Sequence, residues 1–75
     1  MNNETAQRII AIAARELGVP ENEITSDSVL SELFNDSLDY TSFLLCLKEI
    51  GECPDSLVAK AETIGELADG LIVSN

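Results

Sequence analysis

The segment best suited to chemistry in this sequence is Asp36-Ser37-Leu38-Asp39. Asp36 is a good helix cap and Asp39 follows three residues later, so the pattern predicts a helix that begins at Ser37. The Ser37 hydroxyl has no base to activate it, because the chain contains no His and Lys48 lies about three helical turns away. Modification of Ser37 by another enzyme is therefore the better functional interpretation. The structural alternative is an ordinary helix-start serine.

The charge of the chain excludes several other function classes. Its 75 residues contain 14 Asp and Glu against 4 Lys and Arg, a formal net charge of −10. Such a surface repels nucleic acid, so we expect protein partners that present basic patches. Without His, neither His-based triads nor His–zinc sites can form, and Cys46 and Cys53 alone fit neither a zinc site nor a redox pair. We expect no metal site and no catalytic residue.

The elements that must position Ser37 are predicted to be helices of a single domain over residues 1–75. A first helix begins after Asn2 or Asn3 and ends at Gly18, which is followed by Pro20. Residues 21–35 form a long ordered loop with room for one helical turn, and the second helix runs from Ser37 to about Ile50. A short helix over 55–61 follows, and a Thr-x-x-Glu capping box over 63–66 opens the last helix. The predicted fold class is all-α, a four-helix bundle with a long loop between the first two helices and a short third helix.

Apolar residues at spacings of three and four define the core-facing stripes of these helices. The predicted core residues are Ala6, Ile9, Ile10, Ala13, Leu17, Phe43, Leu44, Leu47, Ile50, Leu67, Ala68, Leu71 and Ile72. No stretch reaches the roughly 20 apolar residues of a membrane span, and the N-terminal residues lack the pattern of a secretory signal. We therefore expect a cytoplasmic monomer, in which Cys46 is a small core residue and a disulfide would be unusual.

The chain resembles the acyl carrier proteins and the related peptidyl carrier domains over nearly its whole length. The residues that carry the resemblance are Leu17-Gly18-Val19, the acidic loop, Leu33, Asp36-Ser37-Leu38-Asp39, Leu47, Pro54-Asp55 and Thr63. In that family the serine carries a 4′-phosphopantetheine arm, which a magnesium-dependent phosphopantetheinyl transferase attaches from coenzyme A. The thiol of the arm holds an acyl group as a thioester. The resemblance implies that Ser37 is the attachment site and that the chain is a non-catalytic carrier.

The resemblance also implies a partner-facing side of the second helix, formed by Asp36, Leu38, Asp39, Thr41, Leu45 and Glu49. The implied partners are acyl-transfer, synthase or ligase enzymes of fatty-acid, lipid or polyketide-type biosynthesis, with basic docking patches. Contact with a partner protein is predicted most strongly for Leu38 and Leu45, because an exposed apolar side chain among acidic residues indicates a contact surface. Burial in the core is the alternative for both.

The chain departs from the family pattern at several positions. Phe34 stands where the family usually has Gly, Ser42 stands at a position that is often Glu, and the run into Pro54 is shorter than usual. We expect Phe34 to anchor the loop in the core, and a position beside the arm is the alternative. The departures favour a specialised pathway over the main fatty-acid cycle. Two alternatives stay open at this point: a small acidic helical adaptor or inhibitor that binds a basic protein without modification, and a carrier-like protein that has lost its cargo.

Overall fold

Helices form most of the computed structural model, which describes residues 3–73. Helix α1 spans Asn3–Leu17, α2 Leu30–Leu33, α3 Ser37–Leu47, α4 Asp55–Lys60 and α5 Ile64–Gly70. A 3-10 helix occupies Glu21–Glu23, and two strands, β1 (Gly51–Glu52) and β2 (Ile72–Val73), are paired antiparallel. In this pairing Gly51 lies opposite Val73 and Glu52 opposite Ile72.

The mostly helical class is confirmed, but the expected helix count is not. Residues 3–73 contain five α-helices, because part of the long loop forms α2. The two-residue strands were not expected, since strands this short leave no alternating pattern in the sequence. Ile72, predicted as a core residue of the last helix, instead lies in β2 and is exposed. Helix α3 ends at Leu47 rather than near Ile50, and residues 48–50 continue in tighter turns whose amides donate to carbonyls three residues earlier.

Gly18 ends α1 as predicted. Its φ of +70° lies in the left-handed region that L side chains rarely adopt. The amides of Gly18 and Val19 both donate to the carbonyl oxygen of Ala14, at 2.8 and 3.1 Å. At the other end of α1, Asn3 is the first helical residue described, and the alternative cap Asn2 lies outside the described residues.

One cluster of buried side chains joins α1, α3 and α5. Its largest fully buried members are Phe43, Ile9, Leu47, Ile64 and Leu67. Of the other predicted core residues, Ala6, Ile10, Ala13, Ala68 and Leu71 are buried, while Leu17, Leu44 and Ile50 pack against the cluster partly buried. Burial of each large side chain contributes roughly 1.5–3 kcal/mol, so Phe43 and Leu47 hold α3 firmly against α1. The first turn of α3, with Ser37, is left at the surface.

Backbone hydrogen bonds tie the segment before α3 to the chain around the start of α5. The Leu30 amide donates to the Glu62 carbonyl at 2.8 Å, and the Gly65 amide donates to the Ser26 carbonyl at 2.8 Å. Phe34, at the end of the loop, is buried as expected, with 7% of its surface exposed. The end of the loop that leads to Ser37 is therefore packed against the rest of the protein.

The capping box of α5 is confirmed with one difference. Thr63 Oγ1 accepts a hydrogen bond from the Glu66 amide at 3.2 Å. The returning bond runs from the Glu62 amide to Glu66 Oε2, at 2.8 Å, rather than from the Thr63 amide. Both bonds satisfy amides near the start of α5, and they hold Glu62 beside the loop.

Candidate functional site

Asp36 caps α3 and thereby fixes the position of Ser37. Asp36 Oδ1 accepts a hydrogen bond from the Leu38 amide at 2.8 Å, which confirms the predicted helix start. Ser37 is the first residue of the helix and is exposed, and its carbonyl accepts a hydrogen bond from Thr41 Oγ1 at 2.9 Å. Among residues 3–73 no hydrogen bond joins the Ser37 hydroxyl to a base. The hydroxyl is open to a group delivered from outside the chain.

The residues expected on the partner-facing side are all exposed, but they do not form one stripe. Leu38, Thr41 and Leu45 follow one another at helical spacing, and Leu38 and Leu45 are 75% and 57% exposed. Asp39, also in the first turn, lies about 100° around the helix from Leu38 and about 200° from Ser37, so it does not face Ser37. The alternative of core burial for Leu38 and Leu45 is thus wrong.

Glu49 lies beyond the end of α3, where it faces α1. Its Oε2 is 3.8 Å from Arg15 Nη2, an exposed ion pair that contributes at most about 1 kcal/mol. Nearby, Cys46 Sγ donates to Glu16 Oε1 at 3.1 Å. This hydrogen bond, together with partial burial, raises the pKa of the Cys46 thiol. Cys46 is therefore half-buried and hydrogen-bonded rather than a plain core residue, and both cysteines are free thiols.

A cleft of about 430 Å³ opens directly beside Ser37. One part of its lining comes from α2 and the loop, and the other part comes from α3 and the segment before α5. The lining residues are Val29, Leu30, Ser31, Phe34, Asn35, Ser37, Tyr40, Ala61 and Glu62. None of them is basic, so the lining offers no positive charge to an anionic group.

Three aromatic side chains close the inner side of this cleft. The rings of Phe34 and Phe43 are stacked, with centroids 4.6 Å apart and planes inclined by 24°. The Tyr40 ring lies 5.7 Å from Phe34 and 6.2 Å from Phe43. Partial burial, with a smaller contribution from the charge of Cys53, raises the pKa of the Tyr40 hydroxyl. Tyr40 therefore stays neutral near pH 7.

Comparison with known protein families agrees with this geometry. The family model described as the phosphopantetheine attachment site matches residues 7–71. The chain belongs to this family. It is a carrier domain of the acyl-carrier type, and the covalent prosthetic group of such domains is 4′-phosphopantetheine. Carrier domains of this family are generally non-catalytic and receive the arm from a phosphopantetheinyl transferase.

The residues of this chain fit such a group, since an exposed serine at a helix start adjoins a cleft with both apolar and polar lining. Analysis of the sequence alone missed Tyr40 and Glu62 as neighbours of this serine. Tyr40 carried a usable signal, because it lies three residues after Ser37 and so one turn along the same helix. Glu62 carried none, since only tertiary contacts bring it to the cleft. Within residues 3–73, no helix combines the length and hydropathy needed to cross a membrane.

Proposed function

We propose that this chain carries biosynthetic intermediates on a 4′-phosphopantetheine arm attached to Ser37. The thiol of the arm holds acyl, aminoacyl or peptidyl groups as thioesters and presents them to enzymes of fatty-acid, lipid or polyketide-type biosynthesis. The observation that carries the proposal is the position of Ser37: exposed, first in α3, directly after the capping Asp36 and at the edge of the cleft.

Attachment requires little from the chain itself. The Ser37 oxygen forms the new bond to phosphorus, the pyrophosphate bond of coenzyme A breaks, and adenosine 3′,5′-bisphosphate leaves. The serine proton passes to a base of the transferase, whose reaction also uses magnesium, while Oδ1 of Asp36 accepts the Leu38 amide in the helix cap. The chain contributes an accessible hydroxyl held at the start of a rigid helix.

The docking surface for partner enzymes is the exposed side of α3. Leu38 and Leu45 supply apolar contacts, with Thr41 between them. Asp36 and Asp39 supply negative charge in the first turn, and Glu49, beyond the end of α3 and next to Arg15, adds charge at the margin of this surface. Acidic residues attract partners with basic patches and raise the rate of encounter, whereas a small apolar contact keeps each complex short-lived. Such a surface suits the transferase and successive acyl-transfer, synthase or ligase enzymes.

The test is the intact mass of the protein after incubation with coenzyme A, magnesium and a broad-specificity phosphopantetheinyl transferase. We expect the parent to gain one phosphopantetheinyl group and Ser37→Ala to gain none. Ser42→Ala is the matched control, because Ser42 is another exposed serine of α3, and it is expected to be modified like the parent.

A folded parent that gains no mass would refute the carrier proposal and favour an acidic adaptor that binds a basic protein. A gain that persists in Ser37→Ala would place the arm on another residue. Circular dichroism of each variant establishes that the protein is folded before its mass is compared.

A further inference from the structure

Two of the three aromatic side chains of this protein line the cleft beside the proposed attachment site, and the third packs against them. The chain contains two Phe, one Tyr and no Trp, and the three aromatic residues form the single cluster of Phe34, Tyr40 and Phe43. Two of them, Phe34 and Tyr40, also line the cleft beside Ser37. Aromatic residues are thus concentrated where a group carried on the arm would fold back.

The cluster closes the route from the cleft into the core. Phe43 is fully buried behind Phe34, and the two rings are in stacking contact. Leu47 and Ile64, both fully buried, occupy the core beneath α3. An alkyl chain entering between the helices would have to separate these packed rings, whereas a flat group can lie in the cleft against them.

The exposure and chemistry of the residues that line the cleft also favour a flat, uncharged group. Tyr40 is only partly buried, so part of its surface remains open for contact. On the other side, Ser31 and Asn35 offer hydrogen-bonding groups, while Glu62 adds an acidic residue that disfavours an anionic ligand.

We propose that the cleft beside Ser37 holds a neutral aryl-acyl group carried on the arm, with Tyr40 as the residue that determines this specificity. The inference rests on the proposed function, since the group reaches the cleft only from an arm on Ser37. The cargo class is therefore a benzoyl-type thioester in preference to a saturated one of equal size.

The experiment compares two acyl groups of similar size on the arm, one with a flat aromatic ring and one with a puckered saturated ring. The transferase loads the protein from benzoyl-coenzyme A or from cyclohexanecarbonyl-coenzyme A, and intact mass verifies each product. The rate of thioester cleavage by hydroxylamine is then measured and divided by the rate for the same acyl group on coenzyme A. This ratio removes the intrinsic reactivity of each thioester and reports only its protection by the protein.

We expect the benzoyl thioester to be protected about 2- to 12-fold more than the cyclohexanecarbonyl thioester, the range that one aromatic pair supplies beyond area burial. Tyr40→Phe keeps the ring and the preference, while Tyr40→Leu loses it. Equal protection of the two thioesters in the parent overturns the inference, as does an unchanged preference in Tyr40→Leu.

A second measurement does not depend on the folding of any variant. In the benzoyl-loaded parent, NMR cross-relaxation is expected between the protons of the benzoyl ring and those of Tyr40, and its absence overturns the inference. Failure of the proposed function looks different, because no mass would be gained at Ser37 during loading, and the cargo inference would then fall with it.

Discussion

Replacement of Asp36 separates the structural role of this residue from its role in recognition. Asp36→Ala removes the hydrogen bond from the Leu38 amide to Oδ1, which is 2.8 Å long, and with it the cap of α3. Loss of such a cap costs about 1 kcal/mol, and loss of a negative charge at the positive end of the helix dipole costs about 0.5 kcal/mol more. Asp36→Asn keeps a capping oxygen and loses only the charge.

The expected destabilisation is therefore about 1.5 kcal/mol for Asp36→Ala and about 0.5 kcal/mol for Asp36→Asn. In a domain of this size these values lower the melting temperature by roughly 6–12 °C and 2–4 °C. Thermal unfolding followed by circular dichroism at about 0.15 M salt measures both, and at this ionic strength repulsion among the acidic residues is largely screened. Asp39→Asn is the matched control, because Asp39 lies in the same first turn and does not provide the cap.

Equal destabilisation by Asp36→Ala and Asp36→Asn would refute the capping argument, since only the alanine variant lacks the acceptor. The initial rate of phosphopantetheinylation of Ser37 then tests recognition separately. We expect Asp36→Asn to slow modification although the helix start is preserved, because the transferase loses an acidic contact. An unchanged rate in Asp36→Asn would remove this carboxylate from the docking surface.

Four further predictions address packing, docking and charge. Phe34→Ala should lower the free energy of unfolding by about 3–5 kcal/mol, from a total of about 4–11 kcal/mol for a domain of this size. Urea unfolding measures the change, and a loss below about 1 kcal/mol would contradict the role of Phe34 in the aromatic cluster. Leu38→Ser should change the free energy of unfolding by less than about 0.5 kcal/mol, yet it should slow phosphopantetheinylation of Ser37 at least about fivefold. Ile72→Ser is the control at an exposed apolar residue of β2, and it should leave this rate unchanged. The melting temperature should rise between about 0.01 and 0.15 M salt, because the Debye length falls from about 30 to about 8 Å and repulsion within a molecule of 27 × 23 × 20 Å is then screened. A constant melting temperature would show that repulsion among the 14 acidic residues does not destabilise the fold. The pKa values of the Cys46 and Cys53 thiols are raised, so the stabilisation they provide is present below the ordinary thiol pKa and is lost as pH rises through the raised values. Unfolding free energies measured near pH 8 and pH 10 report this loss, which the double variant Cys46→Ala with Cys53→Ala should reduce.

Local signals in the sequence were sufficient for the helix boundaries that frame the site. Gly18 ends α1 and Asp36 begins α3 where the pattern placed them, because each acts through its own backbone and its immediate neighbours. The stripe through Phe43 and Leu47 was equally readable, since a helix with a period of 3.6 residues must bury one face. The match of the family model over residues 7–71 agrees with what these local patterns implied.

Contacts between residues distant in the sequence decided the rest. The strand pairing of Gly51 with Val73 depends on hydrogen bonds across more than twenty positions, which leave no local pattern. The sequence alone did not decide whether Leu38 and Leu45 are exposed, although the structure shows that both are. An apolar residue on a helix can belong to the core or to a contact surface, and only its neighbours in the fold distinguish the two.

The sequence by itself determined that α3 begins at Ser37, because capping is a property of adjacent residues. The cleft beside Ser37 was decided only by the tertiary structure. Its walls come from α2, α3 and the segment before α5, and the hydrogen bond between the Leu30 amide and the Glu62 carbonyl sets their spacing. A site assembled from segments some thirty residues apart exists only once the core has packed, which is why Glu62 became visible as a neighbour of Ser37 in the fold alone.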